Sequence, residues 1–342
     1  GIAYAMDERF FEKAKDKLTV FKYRANSKIM EQALPLTDAM FPGPKVVSGA
    51  DSAKKIPEVL KELNVNKVMI VTGPTVGRTI VPPIAENLER HGIGYTIYDQ
   101  VEANPSVKTV EAIRAQYLEN GCDGFLAIGG GSPMDAAKAA AARVAKPNTP
   151  IGKMAGLMKV MIKVAPIVAV PTTSGTGSEV TMGAVISDHD ERHKYAIMDP
   201  NLVPKYAVLD PKLTVSMPKF VTATTGIDAL THAVESYVTW AYNNNASNRN
   251  AEEAVVKIFR NLKRAYEDGN DLEAREAMLI ASYKAGLAFN HTGVGYVHAI
   301  AHAMGGIYNT AHGLANAVIM PIVLEDYGTA VHPPLAHLSG VS

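Results

Sequence analysis

Between residues 53 and 170 the spacing of hydrophobic positions changes period in a regular rhythm. Ile56, Val59, Leu60 and Leu63 recur at helical spacing, and the run 67–72 (KVMIVT) is nearly continuously apolar, as in a strand buried on both faces. The helical period returns over 80–90, 95–98 reads as strand, 107–119 as helix, 124–128 as strand, 133–144 as an alanine-rich helix and 165–170 as strand. Strands alternating with helices of about ten to fifteen residues predict a parallel sheet covered on both faces. Beyond Met217 the strand signal fades. Helical periods run through 221–237, 250–266, 272–288 and 295–307, separated by polar breaks at 242–248 (YNNNASN) and 268–271 (DGND). The pattern thus predicts an α/β domain over residues 1–214 and an all-α domain over 215–342, meeting near Pro211 and Pro218. Residues 1–44 carry only a weak helical signal, broken by Pro35 and Pro42.

Composition narrows the function classes. Lys plus Arg and Asp plus Glu both total 34, so no global field favours nucleic acid or an anionic membrane. No uninterrupted apolar stretch reaches the roughly 18 residues of a membrane span. Near the start, Asp7, Glu8, Arg9, Glu12, Lys13 and Lys15 interrupt any signal-peptide-like run. The single cysteine, Cys122, cannot form an internal disulfide and is expected as buried filler in a reducing cytoplasm. Met154, Met158 and Met161, at helical spacing, are expected in the core.

Two loops carry phosphate chemistry. Gly129–Gly130–Gly131–Ser132 follows a strand and opens a helix, where a glycine backbone can approach a phosphate and the free N–H groups of the first turn favour an anion. Ser132 is expected to cap that helix and Pro133 to occupy its first position. The segment 171–179 (PTTSGTGSE) also follows a strand and is dense in hydroxyl and N–H donors, a lining suited to a dinucleotide. The spacing is not GxGxxG. Gly73 ends the strand KVMIVT, where a carboxylate would commonly read the adenosine ribose, so either NAD or NADP is expected, with Asp99 after the next strand as an alternative source of that charge.

The sharpest constellation lies in the helical half. Asp228 and His232 are four apart on one helix, His298 and His302 repeat that spacing on another, and His312 follows beyond Gly305 and Gly306. A buried acid amid apolar residues is costly alone, and a divalent cation shared with three or four imidazoles removes that cost. Imidazole plus carboxylate suits Fe2+ or Zn2+. The other histidines, His91, His291, His332 and His337 among them and His189 and His193 in the polar run SDHDERHK, are expected at the surface.

Taken together, GGGSPMDAAK, PTTSGTGSEVT, GIDALTHAVESY and GYVHAIAHAMGGIYNTAHGLANA resemble the iron-containing alcohol dehydrogenase family, or group III dehydrogenases, from about residue 45 to about residue 328. The resemblance implies a dehydroquinate synthase-like architecture with NAD or NADP and one divalent metal in a cleft between the domains. It implies Asp228, His232, His298 and His312 as metal ligands, and His302 as a proton relay near a small neutral alcohol or aldehyde. Gly130, Gly131 and Ser132 would take the pyrophosphate and Asp135 support their loop. Thr172, Thr173 and Thr181 would contact the cofactor, with Asn104 and Lys194 close by. A homodimer or higher homo-oligomer is also implied. Family members run some tens of residues past the position of Ser342, so the last helices are expected to be missing, whereas the first 44 residues are longer than usual. Competing readings are a glycerol-type polyol dehydrogenase, a dehydroquinate-synthase-like lyase and a non-catalytic, spirosome-like assembly protein. The lyase needs basic residues beside the metal, yet between Asp228 and His312 they fall only within 249–284.

Overall fold

The computed structural model describes residues 43–188, 193–239, 243–308 and 310–341. The weak helical signal over residues 1–44 lies almost wholly outside them, as does His189.

Six strands form one parallel sheet in the order β1-β9-β6-β4-β2-β3: β1 Lys45–Ser48, β2 Lys67–Val71, β3 Gly94–Tyr98, β4 Gly124–Gly129, β6 Ile167–Pro171 and β9 Tyr206–Leu209. Side chains alternate across it with period two. Met69, Val71, Phe125, Ala127, Ile167 and Ala169 enter one core with α4 (Val107–Glu119) and α5 (Gly131–Ala145). Val68, Ile70, Leu126, Ile128, Val168 and Val170 enter the opposite core with α1 (Ile56–Glu62) and α3 (Val81–Arg90), the short α2 (Pro74–Thr79) lying between these helices in the chain. Burial on both faces explains the continuous apolar runs. The alanines of α5 let that helix lie close on the sheet, and six of them, Ala136, Ala137 and Ala139 to Ala142, are fully buried.

β1 and β9 escape the hydrophobic pattern because each is only four residues long, and β1 is a mostly exposed edge. The polar run around residue 190 joins an antiparallel hairpin of β7 (Gly183–Asp188) and β8 (His193–Met198), with the two-residue β5 (Gly156–Leu157) beside β8. The methionine expectation fails. Met154 is buried, but Met158 and Met161 are 44% and 62% exposed with φ of 54° and 48°, on a turn pinned where Asp199 accepts from Val160 N and Met161 N. Helical spacing there is coincidence in a loop.

The rest is helical: α6 Lys219–Val238, α7 Asn245–Glu267, α8 Leu272–Thr292, α9 Tyr296–Tyr308, α10 His312–Asp326 and α11 His332–Val341. α7 starts inside the expected polar break, because Asn244 caps it reciprocally with Ser247. Helices α6, α7 and α8 share a core of alanine, valine and isoleucine, and Leu279 of α8 packs on Ala207 and Leu209 of β9, joining the two halves. No single helix among the described residues is long and apolar enough to cross a membrane.

Candidate metal centre and cofactor crevice

β2 leads outward to β3 while its neighbour β4 leads the other way to β6, so the loops after these strands diverge and leave a crevice at their carboxyl ends. This crevice, about 240 Å³, is lined by Gly73, Pro74, Val101, Glu102 and residues 129–133 among others. Gly129 has φ +148°, and a Cβ there would meet Pro133 Cγ at 2.8 Å, so glycine is required to turn β4 into α5. The helix starts earlier than the pattern suggests: Gly130 is its cap and Gly131 its first residue, while Ser132 Oγ accepts from Asn104 N at 3.4 Å.

The hydroxyl-rich segment packs on this turn. A Cβ on Gly130 would stand 3.1 Å from Thr173 Oγ1, one on Gly131 2.9 Å from Thr176 Cγ2, and Thr172 N donates to Gly129 O at 2.9 Å. Thr181 is placed differently. It is buried, and both its carbonyl and its hydroxyl accept from the Lys138 ammonium, at 2.8 and 3.2 Å. Lys138 also donates to Ser178 O at 2.7 Å and Gly183 O at 2.9 Å. One turn earlier, Asp135 accepts from Ser178 Oγ at 2.9 Å and Val185 N at 3.0 Å. Burial pulls the Lys138 amine down to about 8 against the charges of Asp135 and Glu179, and pushes the Glu179 carboxyl up to about 7. The crevice floor is thus bolted to the segment over it.

One lysine links this crevice electrostatically to the helical half. Lys194 Nζ donates to Asn104 Oδ1 at 2.9 Å, Asn104 takes φ +59° to reach it, and the Lys194 charge acts on His302 and His312.

There the helices converge. Asp228 and His232 lie on α6, His298 and His302 on α9, and His312 opens α10. Asp228 Oδ1 lies 3.5 Å from His298 Nε2 and 3.5 Å from His312 Nε2, and one ligand atom from each of the three residues lies within 4.8 Å of the others. Donors about 2.1 Å from one tetrahedral cation lie roughly 3.4 Å apart, which this spacing matches. The Asn316 amide Nδ2 points into the same gap, 2.7 Å from Asp228 Oδ1 and 3.4 and 3.5 Å from the two Nε2 atoms, so an electropositive group already sits where three acceptors meet. His232 lies between the rings of Phe289 and His298, at centroid distances of 4.2 and 4.3 Å, with its buried Nδ1 unpartnered. His302 packs beside His312, ring centroids 4.6 Å apart, and is exposed.

The electrostatics suit a cation. Burial alone would raise the Asp228 carboxyl, yet His232, His298 and His312 hold it well below the usual carboxylate range. Burial and the neighbouring imidazoles lower His232 to about 3. The surrounding protein, with His312, His298 and Lys194, lowers His302 to about 3. Both rings are neutral at neutral pH and keep a lone pair. His298 is the exception: burial opposes its charge, but Asp228 and Glu235 raise it to about 9.

Residues 43–211 match the family pattern described as iron-containing alcohol dehydrogenase, and residues 222–339 match that of the Fe-containing alcohol dehydrogenase family, C-terminal. The chain belongs to the iron-containing alcohol dehydrogenase family. It is 37% identical over 297 residues to the NAD-dependent methanol dehydrogenase of Bacillus methanolicus and 34% identical over 301 residues to the lactaldehyde reductase of Escherichia coli; each match covers 86% of this chain and 77% of the relative. The crystal structure of a 1,3-propanediol oxidoreductase superimposes with a TM-score of 0.84 at 35% identity, covering 88% of this chain and 79% of the other. Like its family, the protein is an NAD-linked alcohol oxidoreductase that uses an iron-type metal.

Within this iron-containing alcohol dehydrogenase, the sequence reading missed three polar side chains. Asn316 lies one turn after His312, Lys138 three residues after Asp135, and Glu235 three residues after His232. Each shares a helix face with a residue already singled out, and that spacing was the available signal.

Proposed function

We propose that Asp228, His232, His298 and His312 hold one divalent cation, Fe2+ or Zn2+, facing a nicotinamide dinucleotide whose pyrophosphate lies on Gly130, Gly131 and Ser132. When bound, the pair supplies Lewis acidity towards the substrate oxygen and a hydride acceptor for the carbinol carbon. The chain's own residues do the rest. The glycine amides and the α5 dipole bind the anion, Asp135 and Lys138 fix the loop above it, and Thr172 and Thr173 border it. Lys194 and Asn104 brace the crevice against the metal helices, which sets the distance between the two bound groups. His302, neutral and exposed, or a water chain it serves, relays the alcohol proton to solvent.

The observation that carries this reading is Asp228 Oδ1 standing 3.5 Å from each of two imidazole nitrogens, the edge length of a tetrahedral site. Substrates are short, neutral primary alcohols or diols and their aldehydes, in line with the substrates named for its relatives. No carboxylate stands at Gly73 to repel a 2′-phosphate, while Asp99 lies against Gly77 in the same corner and could supply that charge, so the dinucleotide is either NAD or NADP.

The test is alcohol-dependent formation of reduced nicotinamide by iron-loaded protein, across a panel of short alcohols and diols with both cofactors. His298→Ala and exhaustive chelation are each expected to remove turnover by at least about a thousandfold. Undiminished turnover in His298→Ala would refute the assignment.

A further inference from the structure

Glu235 is 2% exposed, yet each of its oxygens is occupied. Oε1 accepts from Val297 N at 2.7 Å, and Oε2 accepts from Gly295 N at 2.9 Å and from His298 Nδ1 at 2.5 Å. The two backbone donors belong to the free N–H groups at the start of α9, so the carboxylate caps that helix and grips its third residue at once. Because the partner is a carboxylate acceptor, a proton stays on His298 Nδ1, which makes Nε2, 3.5 Å from Asp228 Oδ1, the ring nitrogen available to a cation. Gly295 makes the approach possible: a Cβ there would stand 2.7 Å from Glu235 Oε1.

We infer that Glu235 is the positioning residue of the metal centre, fixing the tautomer and ring plane of His298 and supplying the second negative charge that balances a divalent cation. Asp228 provides the first charge by direct contact, and Glu235 provides the other through the imidazole. This rests on the reading that Asp228, His298 and His312 bind metal.

Two variants test it, with Fe2+, Zn2+ or Co2+ alone as probe and chelator competition as the readout. Glu235→Gln keeps an acceptor for one donor but removes the charge, and is expected to weaken cation affinity about tenfold to a hundredfold while shifting the visible bands of the Co2+ protein. Gly295→Ala keeps every donor and acceptor but displaces the carboxylate, and is expected to weaken affinity about tenfold. Wild-type affinity in folded Glu235→Gln overturns the inference and leaves the metal site standing, and weakened affinity with an unchanged Co2+ spectrum overturns the orienting role. If Glu235→Gln does not fold, Gly295→Ala decides alone, and unchanged affinity there overturns the inference. A wild-type protein that binds none of the three cations removes the metal reading itself, and this inference with it.

Discussion

Gly313 and Thr224 are in such close contact that a Cβ on the glycine would stand 2.0 Å from the threonine carbonyl oxygen. This contact seats the first turn of α10 against the backbone of α6 and brings His312 beside Asp228. Gly313→Ala must therefore push α10 away from α6, because a backbone atom cannot step aside as a side chain can. We expect a loss of about 1–3 kcal/mol in unfolding free energy and at least tenfold weaker metal retention. Denaturant titration and metal analysis after dialysis check both, and a variant with native metal content would refute the geometric argument.

Asn316 tests the same centre from the other side. Its amide donates to Asp228 Oδ1 at 2.7 Å. Asn316→Ala leaves that buried carboxylate short of a partner, at a cost of about 1–3 kcal/mol. A bound cation compensates, so the thermal shift between wild type and variant should shrink on metal loading. An equal shift in both states would count against a cation occupying this gap.

Cofactor choice should respond to one side chain. Gly73→Asp puts a carboxylate at the end of β2, in the crevice wall. We expect KM for NADP to rise by at least about tenfold through like-charge repulsion, with KM for NAD changed far less. A Cβ at Gly73 stands 3.2 Å from Val101 O, so Gly73→Asn is the steric control, and equal effects of Asp and Asn on NADP would mean the ribose lies elsewhere.

Glu179 gives a pH-dependent stability. Burial holds its folded-state pKa at about 7, above the ordinary 4.5, despite the pull of Lys138. Between those values the folded chain binds more protons than the unfolded one. The contribution is therefore full below about pH 4.5 and is lost as pH rises through about 7. Glu179→Gln should flatten this slope, a difference of order 3 kcal/mol between pH 4.5 and 8 by the linkage relation. Chemical denaturation at several pH values measures it, and identical slopes would contradict the assignment.

The sequence exposes the long-range plan of this protein better than its local detail. Strands β2, β4 and β6 are buried on both faces, so their apolar runs are unmistakable, and the alternation with α3, α4 and α5 leaves a parallel sheet as the natural outcome. β1, β7, β8 and β9 are short or only partly apolar, and their pairing depends on partners far along the chain. At the site, histidines at helical spacing betray themselves because such residues are uncommon in apolar helices. Glu235 and Asn316 carry only a weak signal, their spacing from His232 and His312, since an acid or amide on a helix usually faces water, and the folded arrangement shows where these two point. Thr181 is the converse: a hydroxyl in a donor-rich segment, turned to Lys138 beneath the loop.

The donors come from three helices, and the two outer ones, α9 and α10, share a core of Val297, Ala301, Ala315, Ile319 and Val323 with Tyr296, Met304, Met320 and Tyr327 packed against it. A shared ion would act there as a crosslink, tethering both helices to α6 with bonds that alkyl contacts cannot match. Backbone amides across this corner should then exchange hydrogen faster when the ion is stripped, while those of the sheet keep their protection. Catalytic competence and the integrity of one flank of the molecule would be governed by the same free-metal concentration.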